Sequence, residues 1–91
     1  MKIGSLGLKR KELAEWFIEF CLTYNLFTES EMMSITCEAI TNQMEYSWGV
    51  EWLIKTLITR ASNIEIIDLE VLRNLLVELQ ELKLSLDNTE Q

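Results

Sequence analysis

The sequence predicts an all-α fold, a compact helical bundle of about four amphipathic helices. The chain of 91 residues contains no proline and only three glycines, so residues that make tight turns between strands are scarce. Apolar residues form 48% of the chain and recur at the spacing that places them on one side of an α-helix. We expect a single domain, residues 1–91, with short flexible ends at about residues 1–6 and 87–91.

The first helix is predicted from about Lys9 to Tyr24, with Ser5 as the cap of a possible additional turn. Three glutamates share one side of this helix, and apolar residues share the other. The glutamates are Glu12, Glu15 and Glu19; the apolar residues are Leu13, Trp16, Phe17, Phe20, Cys21 and Tyr24. We therefore expect this helix to bury one side and to leave the glutamates in solvent.

A capping box predicts the start of the second helix. The Thr28 hydroxyl can accept a backbone hydrogen bond, and Glu31 can reach back to the Thr28 amide. The helix is predicted to continue to about Tyr46. Thr36 and Gln43 fall within its apolar side and need hydrogen-bond partners if they are buried. That side consists of Met32, Met33, Ile35, Ala39, Ile40 and Met44, with the three methionines expected to fill the core.

Ser47 is the predicted N-cap of a third helix that ends near Arg60, unless the second and third helices are one bent helix. The apolar side of the third helix consists of Val50, Leu53, Ile54, Leu57, Ile58 and Ala61. Asp68 is the predicted N-cap of the fourth helix, from Leu69 to about Leu86. The leucines at 69, 72, 75, 76, 79, 82 and 86 share one side of it. This stripe is wider than a coiled-coil seam, which favours a core face over a dimer seam.

Charge is distributed unevenly along the chain. The net charge is −7, and residues 12–54 contain eight glutamates and no basic residue. Such a surface repels nucleic acid and attracts basic protein surfaces, so we expect a protein partner and no direct nucleic-acid binding. No apolar run is long enough to span a membrane, and no signal peptide is apparent. Two cysteines, Cys21 and Cys37, are too few for a disulfide framework, which favours reduced thiols and a cytoplasmic location.

Residues typical of catalysis are scarce. The chain has no histidine, which excludes the usual general base and the common zinc and nucleophile sites. We therefore expect no enzymatic activity, cofactor or metal. One alternative depends on Glu12-x-x-Glu15 and Glu65-x-x-Asp68. This pattern is similar to the ExxE and ExxD motifs of all-α nucleotide pyrophosphatases of the MazG type, which implies a Mg²⁺-dependent hydrolase. The gap between the motifs is longer than in that family, and a solvated glutamate face explains the same residues.

Trp48 and Trp52 lie four residues apart, so they share a side of the third helix, opposite its apolar side. Lys55 lies beside them. Either they contact a partner, or the helix is buried on all sides, or a shift in helix phase at Gly49 returns Trp48 to the core; large aromatics in small domains are more often in the core. Lys9, Arg10 and Lys11 form a second candidate site, a basic arm for an acidic partner or simply a solvated first turn.

These observations favour a non-enzymatic protein–protein interaction module, a small acidic regulatory, inhibitor, immunity or adaptor protein. The candidate partner-binding residues are Trp48, Trp52, Lys55, Glu12, Glu15, Glu19, Glu38 and Glu45. The alternative is a self-assembling structural or accessory subunit, a homodimer formed through apolar helix faces. Helix-turn-helix binding to DNA is disfavoured because the helix that would enter the groove has almost no lysine or arginine.

Overall fold

A computed structural model describes the backbone of residues 2–89 and the side chains of residues 10–88. Within that range the chain forms five helices and no strand, which confirms the predicted all-α fold. Residue 1 and residues 90–91 of the predicted flexible ends, and the Lys9 side chain, lie outside the described part. The helices are α1 (Lys2–Thr23), α2 (Glu29–Met32), α3 (Cys37–Gln43), α4 (Ser47–Ala61) and α5 (Leu69–Thr89). The outer helices thus extend beyond their predicted limits.

The prediction of one continuous second helix is wrong, because α2 and α3 divide that segment. The capping box at Thr28 is confirmed: the Glu31 amide donates to Thr28 Oγ1 at 3.1 Å, and the Thr28 amide donates to Glu31 Oε1 at 2.9 Å. Thr36 starts a second helix, because its Oγ1 accepts from the Ala39 amide at 3.1 Å. Met33 is therefore not in the core; 83% of it is exposed, whereas Met44 is fully buried.

A turn separates α3 from α4, so the alternative of one bent helix is wrong. The N-cap residue is Tyr46, and Ser47 instead donates its hydroxyl hydrogen bond to Asp87 of α5. Gly49 permits the close approach of the two helix ends, since an added Cβ would lie 2.1 Å from the Gln43 carbonyl oxygen. The Gln43 side-chain amide donates to the Gly49 carbonyl at 3.2 Å, which satisfies the predicted need of this residue for a partner.

The core lies between α1, α4 and α5, with α3 packed against α1. The contact between Ser47 and Asp87 joins the start of α4 to the end of α5, so these helices are antiparallel. Asp68 caps α5 as predicted, because its Oδ1 accepts from the amides of Glu70 and Val71. The largest fully buried side chains are Phe17, Cys21, Met44, Val50, Leu53, Leu57, Leu75 and Leu79. The leucine side of α5 is thus a core face.

Two apolar residues of α4 and α5 also lie outside this core, contrary to the sequence prediction. Ile58 of α4 is half exposed and Leu69 at the start of α5 is mostly exposed. A helical wheel gives the direction of each side chain, but here no neighbouring element covers these positions. Both therefore add to the apolar surface rather than to the core.

Arg60, near the end of α4, joins that helix to the connection between α1 and α2. Its guanidinium binds both carboxylate oxygens of Glu31, at 2.8 and 2.9 Å, and donates to the Leu26 carbonyl at 3.0 Å. It also lies 4.4 Å from the centre of the Phe27 ring, a cation–π contact. Because all these partners contact the same planar group, Arg60 joins α4 to both the α1–α2 connection and α2.

Both cysteines are free thiols: Cys21 lies in the core and Cys37 is half-buried. Cys37 contacts Thr41 of the same helix, with 3.9 Å between Sγ and Oγ1. Among the helices of residues 2–89, none combines the length and the apolar character needed to cross a bilayer.

Candidate protein interface on helix α4

The tryptophans of α4 lie on the surface. Trp48 is 68% exposed and Trp52 is 47% exposed, whereas Leu53 and Leu57 on the opposite side of the helix are buried. The possibility that α4 is buried on all sides is therefore wrong. The four-residue spacing places both indoles on one side of the helix, as the sequence predicts.

Tyr46 extends this aromatic surface. Its ring stacks on that of Trp48, with centroids 5.5 Å apart and planes inclined by 15°. Tyr46 is 48% exposed, so the stacked pair is open on its outer sides. The sequence does not indicate Tyr46 as a candidate, because this residue lies at the predicted end of the preceding helix. The feature that could have indicated Tyr46 is its position two residues before Trp48, at the boundary of the predicted third helix.

Two charged residues accompany the tryptophans, and they neutralise each other. Lys55 Nζ lies 3.0 Å from Glu51 Oε2, one turn apart on the exposed side of α4. The hydrogen bond and the positive charge of Lys55 lower the pKa of Glu51 below its usual value. The charges of Glu51 and Lys55 therefore cancel each other.

A shallow groove continues the surface toward the end of α4. It has a volume of about 380 Å³ and lies beside Trp52. Its other lining residues are Lys55, Thr56, Thr59 and Arg60. We refer to Tyr46, Trp48, Glu51, Trp52, Lys55 and Thr59 together as the α4 face. It presents protruding rings at its N-terminal half and a concave area at its C-terminal half.

The remaining glutamate candidates do not form one site. Glu12, Glu15 and Glu19 are exposed on α1, as predicted, and Glu12 lines a groove with Glu78 of α5. Glu38 lines a different groove, formed with Lys11, Thr41 and Asn42. Glu45 is exposed and directly precedes Tyr46 of the α4 face. The sequence-predicted acidic surface is thus spread over several parts of the molecule.

The basic candidate residues belong to α1 and are far in sequence from Trp48 and Trp52. Arg10 is half exposed and Lys11 is exposed, while the side chain of Lys9 lies outside the described residues. Lys11 lines the same groove as Glu38 of α3. A basic side chain of α1 and an acidic one of α3 therefore border one opening, so the described part of this cluster is not a purely cationic surface.

The carboxylates do not gather into a metal site within the described residues. No group of three or more Asp, Glu, Cys or His side chains there is arranged to hold an ion. Asp68 uses Oδ1 to cap α5, and Glu12 lies instead beside α5 at Glu78. The pairing of Glu12-x-x-Glu15 with Glu65-x-x-Asp68, on which the hydrolase alternative depends, is thus not seen.

An apolar groove lies at the connection between α1 and α2. It has a volume of about 280 Å³ and is lined mainly by aliphatic and sulfur-containing side chains. Leu22 and Met33 are the exposed apolar members of its lining. It lacks exposed tryptophan, the residue type most enriched among the energetically dominant positions of interfaces. The α4 face is therefore the stronger candidate for an interface.

Comparison with known proteins assigns the chain to no family. No family model matches the sequence, and comparisons with curated proteins and with solved structures yield no match.

Proposed function

We propose that this protein is a non-enzymatic protein–protein interaction module, a small acidic regulatory, inhibitor, immunity or adaptor protein that binds through the α4 face. The observation that carries this proposal is the exposure of Tyr46, Trp48 and Trp52 on one side of a helix whose other side is in the core. The two free cysteines are compatible with the reducing cytoplasm in which we propose that it acts.

Exposed aromatic rings are costly in water and valuable in an interface. A tryptophan or tyrosine side chain buries roughly 150–250 Å² when covered, and truncating one that is an energetically dominant residue of an interface costs about 2 kcal/mol or more. Three exposed rings, two of them stacked, thus form an apolar surface of the kind that marks interaction sites. Their rigid side chains also lose little conformational freedom on binding.

The glutamates have a different role in this proposal. Glu12, Glu15 and Glu19 are exposed on α1 and give the surface much of its negative charge. Such charges accelerate the approach of a basic partner and fix its orientation, while contributing less to affinity than buried rings. In this proposal the partner contacts the α4 face, and the negative charge of the glutamates attracts and orients the partner before contact.

The test is partner capture from the native host. The tagged full chain and its Trp48→Ala/Trp52→Ala double variant serve as baits, and retained proteins are identified by mass spectrometry. We expect one specific protein to be retained by the natural chain and lost from the double variant. Leu84→Ala is the matched control, since Leu84 is 64% exposed on α5 and is not part of the α4 face. Retention of that same protein by the folded double variant contradicts the proposal.

A self-assembling subunit is the second candidate, and the groove beside Trp52 favours it. An interface between identical chains needs a surface that is complementary to itself. The α4 face has both a protruding ring and a concave area, as such an interface requires.

A further inference from the structure

We infer that the occupant of the α4 face is a second copy of this chain. The two α4 helices pack antiparallel across a two-fold axis, so that Trp48 of each copy enters the groove beside Trp52 of the other. This inference depends on the proposal that the α4 face is an interface, and it names the partner of that face.

The arrangement of the face provides the self-complementarity that a two-fold interface requires. Trp48, the more exposed indole, lies at the first turn of α4, and Thr59 borders the groove near the last turn. At about 1.5 Å per residue, these positions are on the order of 16 Å apart along the helix. An antiparallel copy reverses this order, so each protruding ring meets a concave area.

The same register pairs the central residues. In an antiparallel pair that sets Trp48 opposite Thr59, Trp52 lies opposite Lys55 of the other copy. An ammonium group over an indole face is a favourable cation–π contact, and the symmetry provides it twice. The ammonium group has three donor hydrogens, so it can lie over the ring while one of them remains bound to Glu51.

Charge favours a second copy over a basic protein at this particular surface. Two chains of −7 repel each other, yet on the α4 face Glu51 and Lys55 form an ion pair at 3.0 Å. Each copy thus brings a neutral ion pair to the interface rather than an uncompensated charge. A basic partner would find unpaired anionic groups elsewhere, on the exposed glutamates of α1.

The available area is sufficient for a specific dimer. Burial of the exposed parts of Tyr46, Trp48, Trp52 and the neighbouring Ile58 removes on the order of 400–500 Å² from each copy. Both copies together reach about 1,000 Å² once the stems of Glu51, Lys55 and Thr59 are included, which is the lower limit for a specific interface. An interface near this limit is typical of a weak, reversible dimer.

Sedimentation of the full chain over a concentration series tests the inference. We expect dimers for the natural chain and an increase of at least about tenfold in the dimer dissociation constant for Trp48→Ala. Thr59→Phe, which blocks the groove without removing a tryptophan, should weaken the dimer similarly. Leu84→Ala should leave it unchanged. Mixing the Trp48→Ala and Thr59→Phe chains should restore dimers, because the mixed pair retains one intact ring-in-groove contact.

Restoration on mixing also excludes misfolding as the cause of the loss, since two misfolded chains have no reason to complement each other. A natural chain that is monomeric at every concentration overturns the inference. Dimers that persist in Trp48→Ala but disappear in Leu84→Ala also overturn it, because the interface is then on α5. If the chain is monomeric but captures a host protein through its tryptophans, the proposed function stands and only the inference of a second copy is wrong.

Discussion

Gly49 shows how one missing side chain determines the junction of two helices. Its α-carbon lies so near the end of α3 that a Cβ would be 2.1 Å from the Gln43 carbonyl oxygen and 2.8 Å from Gln43 Cγ. A flexible side chain can move aside, but a backbone oxygen at a helix end cannot do so without displacing α3. The glycine therefore serves close packing within the first turn of α4 rather than conformational freedom.

Gly49→Ala should destabilise the protein, although alanine is the better helix former by about 1 kcal/mol. The steric conflict should outweigh that gain and leave a net loss of about 1–3 kcal/mol in the free energy of unfolding, measured by urea denaturation. Asn74→Ala is the control, at an exposed position of α5 where the gain in helix propensity should appear as a small stabilisation. Stabilisation by both substitutions would show that α3 and α4 are farther apart than described.

The two cysteines should differ sharply in reactivity. Burial raises the pKa of the Cys21 thiol to about 12, so almost no thiolate is present at neutral pH, and the side chain is covered. Cys37 is partly accessible. We expect one thiol of the native chain to react with a disulfide reagent such as Ellman's reagent, and the second to react only after unfolding. In the Cys37→Ser variant, a fast reaction of the remaining Cys21 thiol under native conditions would contradict the burial of Cys21.

At the scale of the elements, the ends of helices decide the architecture. Arg60 binds Glu31, the Leu26 carbonyl and the Phe27 ring, so the end of α4 positions the α1–α2 connection. Glu31 also completes the Thr28 capping box, and the two contacts together lower the pKa of its carboxyl group. One carboxylate thus both starts α2 and attaches it to α4.

This carboxylate should make stability depend on pH in an acidic range. The hydrogen bonds from Arg60, followed by the Thr28 backbone, lower the pKa of Glu31 from 4.5 to about 2. A depressed pKa means that the folded state binds its proton less readily than the unfolded state. The contribution of the ionised Glu31 side chain to the free energy of unfolding is therefore complete above about pH 4.5 and is lost as the pH falls toward 2. Glu31→Gln should show a shallower fall in melting temperature over that range.

Glutamine at this position can still accept the Thr28 amide hydrogen bond, so the comparison isolates the ion pair with Arg60. Glu29→Gln, an exposed acid of the same helix, is the matched control and should follow the natural chain. If Glu31→Gln has the same pH profile as Glu29→Gln, the ion pair does not contribute in solution.

Local sequence signals predicted the elements with uneven success, for physical reasons. Thr28 with Glu31, and Asp68, were recognised because their hydrogen bonds are to backbone groups only two or three residues away. Thr36 was misassigned because a threonine within an apolar stripe has the same pattern whether it is buried or caps a new helix. Ile58 and Trp48 could be assigned to a side of α4, but their exposure depends on whether distant elements cover that side, which periodicity does not encode.

At the scale of the whole molecule, the exposed glutamates of α1 and the exposed aromatic rings of the α4 face lie in different parts of the chain. The chain carries −7, with exposed glutamates on α1, while the α4 face contains a neutralised ion pair and three aromatic rings. Long-range repulsion and short-range attraction therefore act through different surfaces. This separation gives self-association and binding to a basic partner opposite dependences on salt.

Salt should strengthen the association of two copies, because it screens the repulsion between two chains of −7 while leaving contacts between rings nearly unchanged. Binding to a basic protein should weaken over the same increase in ionic strength, since the attraction is then screened. Sedimentation at low and high sodium chloride measures the association of the two copies. Titration calorimetry with the captured partner measures the binding to a basic protein. Replacing Glu12, Glu15 and Glu19 by glutamine should reduce both dependences and leave the contact through Trp48 intact. Dimers that dissociate as salt increases would instead mean that ion pairs, and not the rings of α4, hold the two chains together.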